Sequence, residues 1–290
     1  MNDKKRAQLL RVRELARAGG VEILAHLFQR AEVRLAADFV GGSLEVVERA
    51  RASQARAVMV CGASFMLDEL ASQPLAAELL IPRRDISCPL AEAVSDEEVL
   101  AARERHPAAL VVADLKARPA LRARADLVIS PATAQTQLAA AGGGELIALP
   151  GPQVADWAGF GSRVVNRWPR AVCQVHELAL AEDLLQAQAE HPRALTAVNL
   201  LCRPEVRARA DFVGDSAALR DFCAAGPADE FILVCEAGLA EYLAETRPDR
   251  AFYETEAEII CPNMKLTTLK SMIDRLEADH DRQGRAPDLS

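Results

Sequence analysis

Apolar runs of three to five residues recur along the chain and alternate with stretches whose apolar residues fall at helical spacing. The first set predicts strands at 21–25, 38–40, 57–60 and 79–81, with helices over 32–37, from Ser43, over 65–78 and from Ser95. A second set places strands at 109–113, 125–128, 146–149 and 163–165. A third places them at 195–198, 210–213, 231–234 and 251–253, before a closing helix over 266–278. Buried runs alternating with helices predict parallel sheets of about four strands, covered on both faces. Ser43 fits an N-cap, and Ser95-Asp-Glu-Glu98 fits a capping box.

The pattern repeats. Arg118-Pro-Ala-Leu-Arg-Ala-Arg-Ala-Asp-Leu-Val128 returns 85 residues later as Arg203-Pro-Glu-Val-Arg-Ala-Arg-Ala-Asp-Phe-Val213, with a looser copy at Ala37-Asp-Phe-Val40. His106-Pro107 returns as His191-Pro192. Such a period is too long for a solenoid and suits a small α/β unit. The expected organisation is an N-terminal helix over 1–20, repeats at 21–106, 107–191 and 192–280, and a flexible tail over 281–290. The expected fold class is α/β: three pseudo-symmetric three-layer units, each with a four-stranded parallel sheet, around a central site.

Composition narrows the function classes. The chain has 290 residues, half of them apolar, enough for ample core. A formal charge of −8 offers no basic face for a phosphate backbone, so nucleic acid is an unsuitable partner. The first twenty residues read as an amphipathic helix, with neither a signal peptide nor a membrane span. Seven cysteines, an odd number without an export signal, point to a reducing cytoplasm. A monomer or homodimer acting on a small anionic substrate is expected.

Three of the cysteines carry the period. Cys88, Cys173 and Cys261 are spaced by 85 and 88 residues, each just after its unit's last strand. Ligands gather beyond the carboxyl ends of parallel strands. Three converging thiolates suit a [4Fe–4S] cluster with one iron open as a Lewis acid. Zinc is the rival, with His176 three residues after Cys173 as a fourth ligand. Pro262 and Pro89, each following a cysteine, favour the cluster. Cys61, Cys202, Cys223 and Cys235 do not recur in all three units and read as small buried hydrophobes.

Other positions align on the same period. His26, Asp114 and Asn199 stand twelve residues before the repeated aspartate, Phe28, Lys116 and Leu201 two residues further on, and Ser43, Pro131 and Ser216 five residues after it. His26, Asp114 and Lys116 are the catalytic candidates, and Ser43, Ser216 and Asn199 the substrate-binding ones. The serines read equally as helix N-caps, and His26 as a satisfied core histidine. His106 and His191 read as structural, satisfying carbonyls at helix ends.

On Ala25-His26-Leu-Phe-Gln29, Ala37-Asp-Phe-Val-Gly41, Cys61-Gly62 with Phe65-Met66, Cys173-Gln-Val-His-Glu177 and Cys261-Pro-Asn-Met-Lys265, the chain resembles the quinolinate synthase family over nearly its whole length. The resemblance implies three α/β domains around a [4Fe–4S] cluster held by Cys88, Cys173 and Cys261. It also implies condensation of iminoaspartate with dihydroxyacetone phosphate and dehydration to quinolinate. His26 matches a family histidine, and Ser43 and Ser216 match hydroxyls that hold carboxylate or phosphate.

The pattern departs elsewhere. Phe28 replaces a tyrosine, Asp114 and Lys116 stand for a tyrosine and an asparagine, and Pro131 for a serine. Asn199-Leu-Leu-Cys202 replaces His-Pro-Glu-Cys, and Pro150-Gly-Pro-Gln-Val-Ala155 replaces Pro-Asp-x-Asn-Leu-Gly. Asp114 reads as a new base, and Lys116 as an amine that pairs with a carboxylate or forms an imine. The expected function is therefore a diverged family member that keeps the cluster and changes the substrate. Quinolinate synthesis is the alternative, and a non-enzymatic iron–sulfur sensor or scaffold comes next. The diphthamide-forming enzymes share only the three-domain, three-cysteine plan.

Overall fold

The computed structural model describes residues 1–131, 133–151, 155, 159–166, 168 and 170–284. The chain forms two compact units, Met1–Ile86 with the segment from Pro262 onward, and Ser87–Cys261. The fold is α/β, with parallel sheets of four, three and four strands. Among the described residues no helix is long and apolar enough to cross a membrane.

In the first unit the strands β1 (Val21–His26), β2 (Phe39–Gly41), β3 (Ala57–Cys61) and β4 (Glu78–Leu80) stand in the order β2-β1-β3-β4. β3 is buried along its whole length, which is why Ala57-Val-Met-Val-Cys61 shows no polar alternation. The helices Asp3–Ala18 and Leu269–Gly284 share one core with this sheet, through Val12, Leu15, Met272 and Leu276 against Ile23 and Met59.

The second unit holds two sheets. One is β6 (Leu127–Val128), β5 (Leu110–Ala113) and β7 (Leu146–Leu149), in the order β6-β5-β7. The other is β8 (Leu195–Asn199), β9 (Phe212–Gly214), β10 (Glu230–Val234) and β11 (Ala251–Tyr253), in the order β11-β10-β8-β9. All three sheets share one connection order, with the first strand of each repeat lying between its second and third.

The repeated aspartate explains part of the sequence repeat. Asp38 Oδ2 accepts from Ile23 N, Asp126 Oδ2 from Val111 N and Asp211 Oδ2 from Thr196 N, each at 2.8 Å. The backbone N–H of each aspartate donates back to the same residue's carbonyl. One side chain thus pins the start of each second strand to the first. The repeated arginines also act on backbone: Arg30 Nε donates to Lys265 O, Arg118 Nη2 to Val94 O and Arg203 Nε to Glu177 O.

Several boundaries differ from those the pattern predicts. The expected strand at 163–165 is a 3-10 turn, Gly161–Arg163, followed by a single bridge between Leu146 and Val164. The Asn166 side chain takes over the pairing, its Oδ1 accepting from Ala148 N at 2.8 Å and its Nδ2 donating to Ala148 O at 3.0 Å. Among the described residues the middle sheet therefore has three strands where four are predicted. The helix predicted over 65–78 spans Ser64–Ala71, because Pro74 disfavours helical backbone just before it. The closing helix spans Leu269–Gly284, not 266–278: Thr268 and Ser271 exchange side chain to backbone bonds at its start. It runs through 281–284 of the expected flexible tail, whose remainder lies outside the described residues.

Candidate functional site

In the first unit, His26 ends β1 and is 2% exposed. Its Nδ1 accepts the backbone N–H of Phe28 at 3.1 Å, so the neutral ring carries its proton on Nε2. Nε2 lies 3.1 Å from Ser43 Oγ and is therefore the donor. The Phe28 ring meets His26 edge-on at 4.6 Å between centroids. His26 is thus buried yet aimed at a hydroxyl.

Neither serine is an N-cap. Gly42 is the cap of the helix Ser43–Ala52, and its N–H donates to Glu45 Oε2 at 2.8 Å. Asp215 is the cap of the helix Ser216–Ala225, accepting from Ala218 N at 2.9 Å. Ser43 and Ser216 are first-turn residues whose hydroxyls are not used for capping, where backbone N–H groups favour anions. Gly41 and Gly214 end the strands before these turns. A Cβ at Gly41 would lie 2.7 Å from the Phe39 ring, and one at Gly214 2.8 Å from Ala218 Cβ.

In the second unit, Asp114 directly follows β5 and Asn199 ends β8; both are buried. Asp114 Oδ1 accepts from Lys116 N at 2.7 Å, and Asn199 Oδ1 from Leu201 N at 3.0 Å. His26, Asp114 and Asn199 therefore do the same local job, each holding the N–H two residues on. Asp114 Oδ2 also takes the Lys116 ammonium at 3.2 Å. Burial acts to lower the Lys116 pKa, but Asp114 outweighs it and holds the amine charged. Imine formation needs a neutral amine, so the charged Lys116 suits pairing with a carboxylate better.

All seven cysteines are free thiols. Cys88, Cys173 and Cys261 are partly exposed, whereas Cys61, Cys202, Cys223 and Cys235 are buried. Burial pushes the Cys88 thiol up to about 11 and raises that of Cys173, and to a smaller extent so would neighbouring thiolates, Cys173 and Cys261 for Cys88 and Cys261 for Cys173. Against this, the N–H groups of Leu90 and Ala91 reach Cys88, and those of Val175 and His176 reach Cys173. N–H groups two and three residues on, directed at a ligand sulfur, favour its thiolate. Such a donor set fits a cubane cluster.

Among the described residues no three His, Cys, Asp or Glu side chains are gathered around one ion position. His176 is 2% exposed, its Nδ1 3.2 Å from Cys173 Sγ and its Nε2 3.8 Å from Cys235 Sγ. Burial, aided by the Lys116 charge, lowers its pKa to about 3, so it is neutral.

Two connections escape the repeat alignment. Asn199 Nδ2 donates to Cys235 Sγ at 3.4 Å, which ties Asn199 to a buried thiol. Glu236, fully buried, accepts from Gly238 N at 2.8 Å and from Cys261 N at 3.2 Å, and so holds the backbone of a site cysteine. Glu236 has no counterpart at equivalent positions of the other repeats, so periodicity could not single it out. His106 and His191 do sit at helix ends, but their rings serve other partners: Glu145 for His106, and a 3.5 Å stack on Tyr253 for His191. Of the Pro150–Ala155 segment, residues 152–154 lie outside the described residues.

The family model for quinolinate synthetase A protein matches residues 10–284. The chain belongs to the quinolinate synthase family. It is 34% identical over 257 residues to the quinolinate synthase of Thermodesulfovibrio yellowstonii, covering 88% of this chain and 84% of that one. It is 32% identical over 276 residues to that of Methanoregula boonei, covering 95% and 90%. Against the quinolinate synthase of Geobacter metallireducens the figures are 31% over 265 residues, 91% and 87%. Family membership thus spans all three sheets and all three repeated cysteines.

Proposed function

We propose that the chain is a [4Fe–4S] enzyme that makes quinolinate from iminoaspartate and dihydroxyacetone phosphate. The observation that carries this reading is the set of three partly exposed thiols, Cys88, Cys173 and Cys261, which recur with the repeat in a chain of this family. The three relatives described above are each named quinolinate synthase and are covered over 84–90% of their length, which supports this activity over the change of substrate expected from the replaced residues.

In this reading the three cysteines hold the cluster, whose open iron supplies Lewis-acid assistance to loss of water. His26 delivers or holds a proton at Nε2, because Nδ1 is occupied by the Phe28 N–H. Ser43, accepting from His26, turns its own hydrogen toward a carboxylate or phosphate oxygen. Ser216 does the same from its helix start. Asp114, with both oxygens engaged by Lys116, keeps that lysine charged for a substrate anion. Asn199 is assigned to substrate binding by its place in the repeat. The substrates are small anions, and the cytoplasm is the compartment.

The Asp114–Lys116 pair favours a second reading, a related condensation on a different anionic substrate. Quinolinate formation by anaerobically reconstituted protein separates the two. Turnover supports quinolinate synthesis, while a loaded cluster without turnover leaves the second reading.

A further inference from the structure

A line of polar side chains runs inward from Cys173 within the second unit. Glu177 N donates to Cys173 O at 3.0 Å, and this tight turn brings the His176 ring back to the cysteine, with Nδ1 3.2 Å from Sγ. At the far side of the ring Nε2 lies 3.8 Å from Cys235 Sγ. Asn199 Nδ2 approaches that same sulfur at 3.4 Å. Its amide is fixed in this orientation, because Oδ1 accepts from Leu201 N at 3.0 Å. His176, Cys235 and Asn199 are 2%, 2% and 3% exposed, so bulk water does not compete for these contacts.

The hydrogens along this line are ordered from both ends. A cysteine bound to iron is a thiolate with no hydrogen to give, so the contact at 3.2 Å takes its hydrogen from His176 Nδ1. At the other end the Asn199 amide nitrogen only donates, which leaves the S–H of Cys235 to be given to His176 Nε2. Both ends require the same tautomer, the reverse of the one that His26 adopts. Resting on the assignment of Cys173 as a cluster ligand, we propose that His176 donates its Nδ1–H to the Cys173 sulfur, and that Cys235 is the positioning residue that holds the imidazole in that tautomer. Hydrogen bonds to ligand sulfurs, and the outer partners that orient their donors, tune a cluster whichever substrate is used.

The experiment is resonance Raman spectroscopy of the full chain with its cluster anaerobically reconstituted, in H2O and in D2O. A hydrogen bond to sulfur makes the stretch between iron and cysteine sulfur sensitive to deuterium. His176→Gln, whose amide stands where Nε2 stood, should lose part of the wild-type deuterium shift. His176→Asn, whose amide stands where Nδ1 stood, should keep it. The backbone N–H groups that reach Cys173 leave a remainder in every variant. Cys235→Ala should also lose part of the shift, and Cys235→Ser, which retains a hydroxyl donor, should keep it. An undiminished shift in His176→Gln overturns the proposal, as does an equal loss in His176→Asn, and an undiminished shift in Cys235→Ala overturns the role of Cys235. Should a His176 variant bind no cluster, the two Cys235 variants carry the comparison. Quinolinate formation by the wild-type chain is assayed alongside. If none forms while the shifts behave as stated, quinolinate synthesis fails and the role of His176 stands; if it forms and the shifts do not respond, the reverse holds. A wild-type chain that assembles no cluster overturns both.

Discussion

Lys116 Nζ and Asp114 Oδ2 lie 3.2 Å apart across the same two-residue span that His26 to Phe28 and Asn199 to Leu201 bridge through a backbone N–H. The middle repeat has thus added an ion pair to a local structure that all three repeats share. Removing only the carboxylate strands a largely buried ammonium. Asp114→Leu should destabilise the protein by about 3 kcal/mol, the lower end of the range for breaking a buried pair, because Lys116 retains some solvent contact. Asp114→Leu with Lys116→Met should recover most of that loss. Urea unfolding of both variants checks it, and a double variant no more stable than the single one would show that the pair is not coupled.

The three cysteines should be separable from the other four by metal content. Cys88→Ala, Cys173→Ala and Cys261→Ala should each abolish the visible absorbance of the reconstituted cluster and lower the bound iron. Cys223→Ala should leave both unchanged. Cys223 is buried, and burial holds its thiol up to about 12, far from the thiolate that iron requires. Its loss should cost only about 1 kcal/mol of stability, the scale of a small core truncation. Iron and sulfide analysis of the four variants decides the matter. Full iron content in Cys261→Ala would remove that residue from the ligand set.

How far the sequence could be read depended on whether a feature recurs. The strands, the three thiols and the alignment of His26, Asp114 and Asn199 recur, and a period of about 85 residues marks them in the sequence, while the strand order and the shared job of those three side chains, holding the N–H two residues on, are seen only in the structure. What does not recur stayed hidden. Glu236 holds the Cys261 backbone from one repeat alone, and Asn166 replaces a strand with one amide group, which no apolar pattern can signal. Ser43 and Ser216 looked like caps because serine is common there. The caps are Gly42 and Asp215, one residue earlier, and only the backbone angles tell the two apart.

That one-residue difference has a catalytic consequence. Ser43 Oγ accepts from His26 Nε2, so the two act together and neither is needed to start the helix. His26→Gln should lower turnover by roughly 10²–10⁴, the usual cost of losing a general acid or base. Ser43→Ala should lower it less and mainly raise KM. Neither should change helix content or cluster loading. Steady-state kinetics with circular dichroism tests this, and a Ser43→Ala protein that melts early would return the serine to a structural role.

The closing helix gives the first unit a dependence on acid. Asp279 is fully buried, and burial by itself would raise its pKa; its bonds from Arg282 and Arg56 outweigh that and hold the carboxyl below its ordinary value. Arg282 Nη2 reaches Oδ1 at 2.5 Å, Gln283 Nε2 reaches Oδ2 at 2.8 Å, and Arg56 also bonds Oδ2 while its Nε holds Gly19 O at 2.6 Å. One carboxylate therefore joins the last helix to the start of β3 and to the turn after the first helix. A depressed folded-state pKa means that the unfolded chain takes up the proton more readily. The stabilisation is complete above the unfolded value near 4 and is lost as pH falls through the folded one. Asp279→Ala should cost about 1.5–3 kcal/mol at pH 7, the range for hydrogen bonds to a charged group. The gap from wild type should narrow when urea unfolding is repeated near pH 3. A gap of the same size at both pH values would mean that packing of the side chain, and not its charge, is what the helix requires.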